Sequence, residues 1–191
     1  MRIFLSLVVL SLIFFLTSCH DEYIPKPKGY FRIDLPEKSY QLYCESCPYC
    51  FEHLLDAKII YAAKDSCWID IYYPMFDAMI YLTHKSVENN LDKHLEETHQ
   101  LAYKHTIKAD AINEYLFPFP DKKVYAVLYE IKGDAASSVN FYITDSTDNF
   151  VRGALYFNVA PNKDSLMPVI DFITDDIAHL IETFKWKELK P

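Results

Sequence analysis

The sequence predicts an α+β fold: one domain with a curved, mainly antiparallel sheet and two long amphipathic helices packed on it. Alternating apolar runs at residues 124–132, 139–144 and 151–159 are separated by short turn-like segments, the pattern of an antiparallel meander. Residues 87–108 and 166–184 instead carry apolar side chains at three- and four-residue spacing, the period of a helix. These two stretches stand apart from the strand block rather than alternating with it, which separates α+β from a parallel α/β sheet.

From the start, Met1-Arg2 gives one positive charge, and residues 3–16 are apolar except for Ser6 and Ser11. At 14 residues the run is shorter than the ~20 that a spanning helix needs. With the small-residue exit Leu16-Thr17-Ser18-Cys19 it reads as an export signal over residues 1–18. The same four residues fit a lipobox: small side chains admit the peptidase, and the Cys19 thiol carries the lipid. Partnership with a membrane through that lipid, with the folded part facing the periplasm, is the expected location. Residues 19–28, with two prolines and no apolar period, read as a tether, and 29–191 as the single domain.

Phe31, Ile33 and Leu35 alternate ahead of Pro36 and predict a first strand. Residues 41–67 read as a cysteine-bearing loop with a strand at 55–62. Residues 68–73 and 77–83 predict two more strands, with Pro74 between them. Val87, Leu91, Leu95, Thr98 and Ala102 mark one face of the first helix, with Ser86 as its cap. Residues 111–117 predict a short strand stopped by Pro118, and the meander follows. Leu166, Val169, Ile170, Ile173, Ile177, Leu180, Ile181 and Phe184 form the stripe of the second helix, which Asp164 or Ser165 can cap.

Composition narrows the function. Removal of the signal leaves 173 residues, with 18 basic side chains against 27 acidic ones. That acidic balance is a poor match for nucleic acid, whose binding rests on Lys and Arg neutralising phosphates. Gly29, Gly133 and Gly153 are far apart, which excludes the clustered glycines of phosphate-binding loops. No G-x-S-x-G or H-E-x-x-H occurs. The 15 tyrosines fit strand and core packing, or a glycan- or peptide-binding surface.

Four cysteines remain beside Cys19: Cys44, Cys47, Cys50 and Cys67. In an oxidising compartment they are candidates for disulfides, with three pairings open. Cys47-Pro48-Tyr49-Cys50 has the C-x-x-C spacing of thiol–disulfide enzymes, but no βαβ unit surrounds it. Zinc is a weaker reading of the same four, and no metal or other cofactor is expected. His94, His99 and His105 share no i,i+4 pair and read as solvated. Asp175-Asp176 and Glu96-Glu97 read as wet faces. Arg32 and Arg152 are the only arginines after residue 18 in a chain that otherwise uses lysine. A planar fork suits fixed carboxylate pairing. Both are therefore candidates for a partner-docking surface or a structural ion pair, with Asp34 or Asp70 as the counter-charge.

Several stretches carry a resemblance to a known family: residues 25–36 (Pro-Lys-Pro-Lys-Gly-Tyr-Phe-Arg-Ile-Asp-Leu-Pro), Cys47-Pro48-Tyr49, and Arg152-Gly153-Ala154-Leu155-Tyr156-Phe157. Pro161-Asn162, Asp164-Ser165-Leu166 and Asp176-Ile177 with His179-Leu180 add to it. Through them the chain resembles the gliding-motility lipoprotein GldD family. That resemblance implies a membrane-attached, non-enzymatic part of the gliding machinery, linked to type IX secretion, with other proteins of that apparatus as partners. It implies no catalytic residue. The element order is also similar to the PsbP/Mog1 sandwich. A periplasmic thiol-handling protein using Cys47 and Cys50 and a glycan- or peptide-binding module are the alternatives.

Overall fold

The computed structural model describes residues 33–62, 67–104, 109–158 and 163–187. The expected signal and tether, Cys19 and Arg32 lie outside the described residues. In chain order the elements are β1 (Tyr40–Tyr43), β2 (Tyr49–Leu54), β3 (Lys58–Tyr61), β4 (Trp68–Tyr73) and β5 (Ala78–Ser86). Helix α1 (Leu91–Tyr103), β6 (Ala109–Phe119), β7 (Val124–Gly133), β8 (Ser137–Thr144), β9 (Asn149–Phe157), α2 (Lys163–Thr183) and β10 (Lys185–Trp186) follow. The α+β class stands. Among the described residues the strands form two sheets rather than one: seven strands in the order β3-β4-β5-β9-β8-β7-β6, and three in the order β1-β2-β10. Every pairing is antiparallel.

Period-two alternation explains the layers. On β4, β5, β8 and β9 the side chains Ile69, Ile71, Ile80, Leu82, Val139, Phe141, Ile143, Val151 and Leu155 point to one face and are buried. Helix α2 and the small sheet cover that face, contributing Ile173, Ile177, Leu180, Ile181, Tyr49, Phe51 and Phe184 to one core. Helix α1 lies on the opposite face, where Ala102 packs with Val127 and Tyr129. Strand β7 thus serves both layers, with Leu128 inward and Val127 and Tyr129 outward.

Several expectations are corrected. Residues 33–39 form no strand; Ile33 packs against the core, and the ladder begins at Tyr40. The cysteine segment is not mainly loop, because β2 runs through its centre as the middle strand of the small sheet. Ser86 does not cap α1. It is the last paired residue of β5, opposite Asn149, so the helix starts later, at Leu91 behind Asn90. Strand β6 passes through Pro118, which an edge strand tolerates since no neighbour needs its missing N–H. His94 is not solvated: it is buried at 8% exposure and stacks on Phe150, 5.3 Å between centroids. His105 lies outside the described residues. Helix α2 begins at Lys163, ahead of Ser165, and the Asp164 side chain is likewise not described.

Candidate functional site

Three groups of side chains stand out from the packing. The first joins the incoming chain to the core. Lys38 reaches back to α2: its Nζ lies 3.0 Å from Asp176 Oδ1, donates to the Phe172 carbonyl at 2.9 Å, and sits over the Phe172 ring. The Tyr40 hydroxyl donates to the same carboxylate at 2.9 Å, and the Tyr73 hydroxyl faces it from β4. His179 stacks on Tyr40 at 3.8 Å and contacts Glu52 Oε2 at 2.8 Å. Asp176 is therefore not on a wet face; it is 3% exposed, whereas its neighbour Asp175 is open to solvent. Burial raises its pKa above the ordinary 3.8 although Lys38 opposes the shift. Helical phase held the signal: residue 176 falls between Ile173, Ile177 and Leu180 on the buried stripe. This is a fastening, made where the N-terminal segment meets the domain.

The second group is the cysteines. Cys44 and Cys50 form a disulfide across a tight loop, with their Cα atoms 4.4 Å apart. Cys47 and Cys67 are free. Cys47 is buried and accepts the Tyr43 hydroxyl at 3.4 Å. Burial, with the Cys47 thiol beside it, pushes the Cys67 thiol up to about 12. A thiol held that high carries almost no thiolate at neutral pH, the opposite of an activated nucleophile. The C-x-x-C pair is thus divided, Cys50 being bonded to Cys44 rather than to Cys47. Among the described residues, no group of three or more His, Cys, Asp and Glu is placed to hold a metal ion.

The third group surrounds Arg152, on the outer face of the seven-stranded sheet. The register sets Arg152 between Thr83 on β5 and Tyr142 on β8, with Trp68 one strand further out. Beside it, Asp70, Tyr81, Ala154 and Asn140 form a second cross-strand row, and Tyr72, Met79 and Tyr156 a third. Helix α1 covers Phe150 and leaves much of this face open: Trp68 is 48%, Tyr81 42% and Tyr156 37% exposed. Tyr81 and Tyr156 meet edge to face at 5.7 Å. The half-buried guanidinium donates to Asn140 Oδ1 at 3.5 Å, and its Nε is buried without a hydrogen-bond partner. Burial lowers its pKa, yet arginine remains charged. Among the described residues, no carboxylate lies within ion-pair distance of it. Asp70 shares the face and has its own pKa raised by burial; Asp34 is exposed on the segment before β1. The sequence singled out Arg152 but not Trp68, Tyr81 or Tyr156, whose common face emerges only from strand register.

Comparisons with known proteins fit this picture. The family model described as gliding motility lipoprotein GldD matches residues 20–186. No curated protein matches the chain. That family is one of gliding-motility lipoproteins and is not a known enzyme family. Among the described residues, no helix is long and apolar enough to cross a membrane. With residues 20–186 of the 191-residue chain matched, this protein belongs to the gliding motility lipoprotein GldD family.

Proposed function

We propose that this chain is a non-enzymatic, lipid-anchored subunit or assembly factor of the gliding and type IX secretion machinery, with its domain in the periplasm. It docks another component through the outer sheet face around Arg152. The observation that carries the reading is the state of that arginine. A guanidinium that is half-buried, with a buried donor unused, has paid part of its desolvation without an internal counter-charge among the described residues. A partner carboxylate would supply the missing bidentate contact. The rings of Trp68, Tyr81 and Tyr156 around it have the composition of interface anchors. The thiol-enzyme alternative loses support because Cys50 is committed to Cys44 and Cys67 is a poor nucleophile.

Arg152→Lys keeps the charge and removes the fork. In cells bearing this variant at normal protein level, crosslinking to machinery components and gliding should both fall. If the variant melts earlier and gliding falls only in step with protein level, the residue braces the sheet instead.

A further inference from the structure

The end of the domain where the N-terminal segment packs carries a second feature, separate from the Arg152 face. Strands β2 and β4 finish at the same end of the molecule, and the turns after them meet the N-terminal segment there. Pro36, Leu54, Asp56, Tyr73, Pro74, Met75 and Phe76 line a shallow cleft of about 200 Å³. Met75 in this lining is apolar and open, at 64% exposed, and Leu35 and Leu55, which adjoin Pro36 and Leu54 in the chain, are 40% and 55% exposed. Three separate segments meet at this tip, contributing Pro36, Leu54 and Met75 to the cleft. Backbone contacts hold two of them there: Leu55 N donates to Ser39 O at 2.7 Å, and Phe76 N to Tyr73 O at 3.2 Å.

We infer that this tip is a membrane-contact surface, and that its occupant is the bilayer carrying the chain's own lipid. The inference rests on the reading of Cys19 as the anchor. The described chain begins at Ile33, three residues before the cleft-lining Pro36, and Lys38, fastened to Asp176, holds this segment against the body. From Cys19 to residue 32 is 14 residues, at most ~50 Å of extended chain. The domain is therefore confined close to the bilayer, where a weak apolar contact acts as an intramolecular one. Charge argues for shallow apolar insertion rather than adhesion to anionic headgroups, because Asp56 lies in the lining and Asp77 directly follows Phe76 in the chain. Docked in this way, the molecule turns the opposite end of the sheet, with Trp68, Thr83 and Arg152, away from the bilayer.

The test uses the full-length lipidated protein in phosphatidylcholine vesicles, with Met75→Trp as a reporter. The native Trp68 and Trp186 sit at the other end; six residues of β4 alone separate Trp68 from the tip by roughly 17 Å. Brominated acyl chains should quench the reporter emission by about half or more, since an interfacial side chain sits ~5–10 Å into the headgroup/acyl boundary. High salt should not relieve the quenching, and adding Leu55→Asp should. A protein that floats with the vesicles, melts normally and leaves the reporter unquenched overturns the proposal, as it would if the cleft instead holds a partner protein. Failure of the wild-type chain to float overturns the anchor reading, and this proposal with it.

Discussion

Gly153 offers a sharp test of the packing that presents Arg152. It lies on β9 opposite Phe141 of β8 and Leu82 of β5, on the inner face. A Cβ built there would run into the Phe141 ring, at Cζ, Cε1 and Cε2. Phe141 is fully buried, so the ring cannot swing into solvent to make room. Overpacking of this kind costs about 1–3 kcal/mol. Relief of glycine's excess backbone freedom in a strand returns about 0.5–1 kcal/mol. Three ring carbons this close put the overpacking in the upper part of that range, about 2–3 kcal/mol, so the balance for Gly153→Ala is a loss of about 1–2.5 kcal/mol. At about 2–4 °C per kcal/mol for a chain of this size, the melting temperature should fall by roughly 2–10 °C. Calorimetry or circular dichroism on the purified protein measures it. Phe141→Leu should destabilise by itself, through the cavity it leaves, yet the double variant should lose less than the two single losses together. A Gly153→Ala protein that melts with or above the wild type would refute the reasoning, as would strict additivity in the double variant.

Three further predictions follow from the same geometry. Burial holds the Asp176 carboxyl above the ordinary 3.8, so the folded chain takes up this proton at a higher pH than the unfolded chain. Its charge is thus a cost present above the raised value and relieved as pH falls toward about 3.8. The melting temperature of Asp176→Asn relative to wild type should therefore be highest near neutral pH, the gap narrowing on acidification; a widening gap would mean that Lys38 governs the carboxylate. Replacing Cys44 and Cys50 with serine should cost about 2–3 kcal/mol by denaturant titration, the scale for opening so short a loop; gliding should survive where the protein accumulates. Ile177→Asp puts a charge into a fully buried position and should destabilise by several kcal/mol; an unchanged melting curve would show that α2 does not pack through this stripe.

Where the sequence was readable, one local pattern had one structural meaning. The meander β7–β9 and the stripe of α2 were legible because alternating runs broken by short turns specify neighbouring antiparallel strands, and the helical period of α2 coincides with its buried face. Strand β2 was not. Its Cys-rich approach reads as loop, and its pairing with β10, more than 130 residues away, is a long-range contact with no local trace. The start of α1 was misplaced because Ser86 was drawn into the β5–β9 ladder, which outweighs its capping preference. For the candidate sites the same division holds. Arg152 was conspicuous by residue type. Asp176 looked like one of two adjacent surface carboxylates until its helical phase is followed onto the buried stripe. Trp68, Tyr81 and Tyr156 are separated by up to 88 positions and acquire a common surface only through the β4–β5–β9 register.

The measurement closest to the central claim is gliding of cells whose native copy carries Arg152→Lys or Tyr81→Ser, with protein level and melting temperature determined on the same variants. Tyr81 is 42% exposed on the outer face, so its removal leaves the core intact. Docking through this face predicts normal accumulation, melting temperatures close to wild type, and slowed or lost gliding in both. Normal gliding in both, or a loss that merely tracks protein level, would contradict it.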